Sequence, residues 1–356
     1  MKAFRRRNIV VAVAILVMVG WWGLGYALLR NGAGPEIPSP TPSTTPVALK
    51  PFIRGLISET GLPPSQYLPW VKSFVVNVKW ADLQPVAGGP IEQNNAIDRA
   101  VANARSHGLT LKVRFLAGIN APEWAKNIDG TPVTITDPTD HITGTIGRFW
   151  TEDYGRAYND VQMKLAALYD KVPEISEVTV SRCTTVYAEP FIRDAGDPIT
   201  VQTLLAAGFN TTADLTCLKE QIDTHAAAWQ STRSGVAFSV YQHIDPSGTV
   251  TKGEAFTKQL VLYCRHSLGQ RCVLENNSIR STSRINGVFL AMQQQGPPIS
   301  FQTASPKRIG DVNATLHLAA SIGATSVEIL SSLMPQISNI GDVNQEFLTN
   351  AVNASG

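Results

Sequence analysis

From residue 51 onward, short apolar runs alternate with longer stretches whose apolar positions recur every three or four residues. Runs of the first kind, rich in β-branched and aromatic residues, read as strands. They fall at residues 53–57, 74–80, 109–117, 178–187, 235–243, 272–276, 299–303 and 326–331. Between them the period changes to that of a helix. Ile97, Ala100, Val101 and Ala104 share one face, and Gly108 follows as a stop signal. Tyr154, Tyr158, Val161, Leu165 and Leu168 form a second stripe. The run "DVNATLHLAASIGA" gives a third, from an Asp311 cap to Gly323.

Strand–helix alternation predicts a parallel sheet covered on both faces. Eight repeats in about 300 residues predict a (β/α)₈ TIM barrel, and residues 51–356 are assigned to it. A doubly wound open sheet is the alternative fold. Its phosphate loop is missing, because "IRGLISETG" after the first strand has no glycine-rich fingerprint.

The first 30 residues break the pattern. "MKAFRRR" is a basic cap before residues 9–29, an uncharged stretch of 21 residues. At about 1.5 Å rise per residue it reaches roughly 32 Å, enough to cross a hydrocarbon core. We expect an N-terminal transmembrane helix in residues 1–30. The basic end stays inside, which makes a single-pass protein with an extracellular domain. Secretion after signal cleavage is the alternative. Residues 31–50 carry Pro35, Pro38, Pro40, Pro42 and Pro46 among Ser and Thr, and predict a stiff extended linker.

Charge adds one exclusion. Five of the 30 basic residues lie in the first 30 positions, and the other 25 face 28 acids, a net of −3. A basic face for nucleic acid is therefore not expected. The four cysteines suit an exported chain and a disulfide framework. Cys264 and Cys272 flank a helix-to-strand turn, which would leave Cys183 with Cys217; four cysteines allow three pairings. No metal-ligand spacing is present, and neither a metal nor another cofactor is expected.

In a TIM barrel, function sits at the C-terminal ends of the strands. Those ends hold Lys79, Trp80 and Asp82; Arg114, Glu123 and Trp124; Tyr187 and Glu189; Tyr241, Gln242, His243 and Asp245; Glu275, Asn276, Asn277 and Arg280; Gln302; and Glu328. Such a set suits an oligo- or polysaccharide. Rings cover apolar sugar faces, and amides, Arg and His bind hydroxyls. Glycoside cleavage needs two carboxyls, one to protonate the leaving oxygen and one to attack or to activate water. Each residue also has a structural reading. Glu275 would pair with Arg280 or Arg271, Glu328 with Lys307 or Arg308, and Arg114 with a barrel-end acid. Trp80 and Trp124 would be core aromatics, as would Trp229 in its helical pattern.

The stretch "VNVKWADLQPVAGGPIEQNNAIDRAVANARSHGLTLKVRFLAGINAPEW" resembles the second and third repeats of clan A glycoside hydrolases, which include β-galactosidases and endoglycanases. Trp80, Pro85, Pro122 and Trp124 fit that pattern. "RFWTEDYGRAYNDVQMKLAALYDKVPEISEVTV" resembles the approach to the fourth strand, where the family places its acid/base within Asn-Glu-Pro. The resemblance covers residues 53–193 and implies that Glu189, before Pro190, is the general acid/base.

The chain departs from the family in two places. Ala188 replaces the asparagine before the acid, and Gln302 stands where the seventh strand should end on the nucleophile glutamate. Three readings remain. Glu275 supplies the second carboxylate as the ionised partner; Glu328 does; or the protein binds a glycan without cutting it. Trp80, Trp124 and Tyr187 are expected to form a sugar platform. Arg114, His243, Asn276, Asn277 and Gln302 would contact the substrate.

Overall fold

The structure, a computed structural model, describes residues 48–352. The expected membrane helix and nearly all of the linker lie outside the described residues. Among the described residues, no helix is long and apolar enough to cross a membrane.

Eight parallel strands close into a barrel. They are β1 (Gly55–Ser58), β2 (Val71–Lys79), β3 (Thr110–Leu116), β4 (Ile175–Thr179), β5 (Arg233–Ala237), β6 (Cys272–Ile279), β7 (Ile299–Thr303) and β8 (Ser326–Ile329). β8 pairs with β1 through Gly55–Ser326 to Ser58–Ile329, which closes the ring. The open-sheet alternative is thereby excluded. Helices sheathe the outside, packed on the outward residues Leu111, Val113, Phe115, Val178, Val236, Leu274, Phe301 and Val327.

The helical stripes form as the sequence predicts. Helix Ala96–His107 opens with a capping box between Asn95 and Asp98 and ends on Gly108 at φ 64°. Such a left-handed conformation costs glycine little. Helix Glu152–Tyr169 buries Tyr154, Tyr158, Val161 and Leu165, while Leu168 stays exposed. Asp311 caps helix Val312–Ser321 by accepting from the Ala314 amide.

Two strands end earlier than their sequence implies. β4 stops at Thr179, not 187; residues 180–197 form a long loop. The apolar pattern continues because the loop is pinned against helix Thr211–Ala228, so it is buried without being sheet. Cys183–Cys217 is one tie and the buried Arg193–Asp214 pair, at 2.6 Å, is another. Cys264–Cys272 is the second disulfide, so the expected pairing holds. β5 stops at Ala237; Tyr241–Ile244 leaves the barrel to make a hairpin with Val250–Gly253.

The barrel interior is unusual for this fold. Branched apolar side chains normally fill it. Here Ile53, Ile57 and Val75 form only a small cluster. Beside it lies an ionic layer. Lys112 on β3 reaches Glu177 on β4 at 2.8 Å, Glu275 on β6 at 2.5 Å and Glu328 on β8 at 2.7 Å, and all four are buried. Gly235 on β5 leaves room for them, since a Cβ there would run into the carboxyls of Glu275 and Glu177.

Two predictions test this layer by urea unfolding. Lys112→Met strips the only cation that touches all three carboxyls, and should cost about 3–5 kcal/mol. Gly235→Ala should cost about 1–3 kcal/mol by overpacking. Midpoints unchanged from wild type would show that the layer does not hold the barrel together.

Candidate active site

The C-terminal mouth of the barrel lies directly above the ionic layer. Alternation along β3 puts Arg114 on the same inward face as Lys112, one step nearer the mouth. Its guanidinium pairs with Glu328, meets the Gln302 Oε1 at 3.3 Å and the Asn77 Oδ1 at 3.4 Å. Glu328 therefore bridges two levels, with one oxygen on Lys112 and the other on Arg114. Burial alone would raise its pKa, but Arg114 and Lys112 outweigh burial and hold it below the usual carboxylate range.

The opposite happens at Glu275. Burial raises it well above the ordinary value; Lys112 opposes this, but the neighbouring Glu177 and Glu328 reinforce it. For Lys112 burial works against the charged form, yet its three carboxyl neighbours win and raise its pKa.

Two further carboxyls stand at the mouth. Glu189 comes from the loop after β4. Its pKa is raised by burial, against the support that a hydrogen bond from Asn277 and the charges of Arg114 and Arg308 give its anion. Glu59 directly follows β1. Its Oε1 accepts from Gln302 Nε2 at 3.0 Å, and its Oε2 is buried without a partner. Burial, then the nearby Glu328 carboxylate, push it up to about 7. Sequence reading missed Glu59, although "LISET" places an acid at the end of the first strand.

The other expected residues divide. Arg114, Asn277, Gln302 and Glu328 converge with Glu189 at the mouth. Arg114 pairs with a barrel-end acid, as its structural reading held. Glu275 is paired, but with Lys112 rather than Arg280 or Arg271. Glu328 pairs with Lys112 and Arg114, not with Lys307 or Arg308. Asn276 points off the barrel axis, its Nδ2 donating to the Phe238 carbonyl at 2.6 Å. Trp80 is fully buried among Phe115, Trp124, Tyr154 and Tyr158, with its Nε1 donating to Gln84, so it offers no face to a sugar. Trp124 is half-buried at the edge of Trp80 and donates to the Gln84 carbonyl. Trp229 is core, bonded to Gln162. Tyr187 is exposed, with its hydroxyl donating to Asp140 at 2.6 Å or Asp137 at 3.2 Å. His243 sits in the hairpin after β5 rather than on a barrel strand.

The loop that carries Glu189 is fixed at both ends. Arg193 donates to Asp214 through two nitrogens, and Tyr241 donates to the same aspartate at 2.6 Å. Gln242 accepts from the Arg193 amide at 2.7 Å. On the other side, Ile119 donates to the Thr185 carbonyl at 2.9 Å. Glu189 is thus held between two clamps.

No family model matches the sequence, and no curated protein matches it. Solved structures do. The catalytic domain of a β-amylase from Paenibacillus polymyxa aligns with a TM-score of 0.54 at 10% identity, over 85% of this chain and all of that domain. An endo-β-1,4-glucanase from Xanthomonas axonopodis pv. citri aligns at 0.48 and 14% identity, over 78% of this chain and 87% of the other. Endo-glycoceramidase II from a Rhodococcus species, in its cellobiose-like imidazole complex, aligns at 0.43 and 12% identity, over 80% of this chain and 75% of the other. Identities this low speak to architecture. The chain has the (β/α)₈ barrel that its sequence resemblance to glycoside hydrolases implies, and solved glycoside hydrolases are similar to it in fold.

Proposed function

We propose that the protein hydrolyses an O-glycosidic bond of an oligo- or polysaccharide at the barrel mouth. One observation carries this reading. Two carboxyls, Glu59 and Glu189, stand within the electrostatic reach of one arginine, Arg114, in environments that differ. Acid–base glycoside cleavage requires two carboxyls, one to protonate the leaving oxygen and one to attack or to activate water. The fold likeness to a β-amylase catalytic domain supports the substrate class.

We assign the proton donor's role to Glu59, which lies next to the Glu328 anion and keeps its proton up to about pH 7. Burial raises Glu189 as well, against Asn277, Arg114 and Arg308. With those two cations beside it, Glu189 takes the role of the carboxylate that attacks or activates water. The resemblance assigns Glu189 the acid/base role; this reading keeps it as a reacting group and gives the acid's role to Glu59. Glu275, tied to Lys112, supports the barrel beneath. Gln302 donates to Glu59 and accepts from Arg114, so it positions both. The expected export, with the N-terminal segment as anchor, places the reaction outside the cell.

Gln302 also favours a second reading, a barrel that binds glycan without cutting it. An amide stands where the family has its nucleophile, and turnover then rests on Glu59 instead.

Activity on a polysaccharide panel separates the readings. In the first, kcat/KM is bell-shaped in pH. The Glu59 proton is required, so activity falls as pH rises through about 7. Glu59→Gln should lower the rate about 10²–10⁴-fold on a sugar leaving group, remove the alkaline limb, and spare a dinitrophenyl glycoside that needs no acid. Glu189→Gly should lose activity on both substrates and regain it with azide. Full activity in either variant would sink this assignment. Retention of a glycan with no product would select the binding reading.

A further inference from the structure

The loops after β6 and β7 carry four basic residues and no acid. They read "RSTSRIN" from Arg280 and "ASPKRIG" to Gly310, and hold Arg280, Arg284, Lys307 and Arg308. Both follow C-terminal strand ends, so both stand at the mouth. The loops form one surface. Ser281 donates its amide to the Ile309 carbonyl at 3.0 Å, and the Asp311 amide donates to the Ser281 hydroxyl at 3.2 Å.

Arg284, Lys307 and Arg308 are exposed, and Arg280 is half-buried. Among the described residues, none of the four has a carboxylate within salt-bridge distance. Two acids close to these loops are engaged elsewhere. Asp311 caps its helix, and Glu254, close to Gly287, faces Lys258 at 3.5 Å. The chain from residue 31 on has more acids than bases, so this concentration of unpaired cations runs against its overall charge. Arg308 also acts on Glu189, which joins the basic surface to the candidate site.

We infer that the preferred glycan is anionic and that its carboxylate or sulfate groups lie on the β6–β7 side of the mouth. This rests on the glycan reading above and narrows it. Three of the four cations are arginines, whose planar fork matches carboxylate and sulfate oxygens in pairs. A neutral glycan takes only hydrogen bonds to its hydroxyls from them, without the charge pairing.

The test uses full-length protein and four polymers: polygalacturonate, dextran sulfate, neutral dextran and polyglutamate. Affinity is measured at 50 and 300 mM NaCl for wild type and for Arg284→Gln/Lys307→Gln/Arg308→Gln, with unfolding midpoints to confirm that the variant folds. The expected result is about tenfold tighter binding of an anionic glycan than of dextran, weakened by salt and largely lost in the variant. Which of the two anionic glycans binds tells carboxylate from sulfate. Equal binding of dextran would overturn the inference and leave the glycan reading standing. Polyglutamate binding as tightly as the anionic glycans would also overturn it, because charge alone would then suffice. Binding of none of the three glycans would remove the glycan reading and this inference with it.

Discussion

One ammonium group organises this barrel. Lys112 sits where the fold normally packs branched apolar side chains, and it gathers carboxyls from β4, β6 and β8. Taking a single charge out of water costs several kcal/mol even after relaxation, so none of these four groups is tolerable alone. The cluster persists because its members satisfy one another, with Gly235 keeping a space open beside them. It couples four strands through one atom. Any change of charge at that level is felt by all of them.

The mouth inherits its electrostatics from the layer below. Glu328 is the link, since Lys112 and Arg114 share its two oxygens. Because Glu328 is held as an anion, Glu59 meets a nearby negative charge. The neutral amide of Gln302 fits that setting. A carboxylate at position 302 would join Glu328 and Glu59 around one guanidinium and crowd three acids there. The departure from the family pattern at this position is therefore consistent with an acid supplied from β1 instead of β7.

Much of the fold could be read from the chain because periodicity reports burial. β7 matches its expected span, helix Ala96–His107 ends on the expected Gly108, and the helix after Asp311 begins where its cap predicts. The same dependence explains the errors. Residues 180–187 look like strand because they are buried and β-branched, yet a disulfide and helix Thr211–Ala228 do the burying. Trp80 looks like a sugar platform because it ends a strand, but four aromatic neighbours cover it. For Glu275 and Glu328 the sequence offers basic residues nearby in the chain as partners. Their true partner, Lys112, is 163 and 216 positions away and was hidden inside an apolar run. Alternation along β3 was the signal, since Lys112 and Arg114 share one face of a strand whose other face is wholly apolar.

Placing Glu189 on a loop carries a physical cost that the surrounding structure answers. Strand-borne groups are held by the sheet, whereas loop-borne ones wander unless they are tied, and an ångström of error weakens catalysis. Here the ties come in two chemistries on one helix. Cys217 fixes the loop before Glu189, and Asp214, one turn earlier on helix Thr211–Ala228, fixes it after through Arg193. Arg193 and Asp214 are fully buried, so the pair is shielded from salt and its loss would strand a charge in the interior. Tyr241 adds a third bond to the same carboxylate and brings the hairpin after β5 into the clamp. A loop that only connected β4 to the next helix would need none of this. The density of restraint on either side of one carboxyl is what a group required to hold its position would demand.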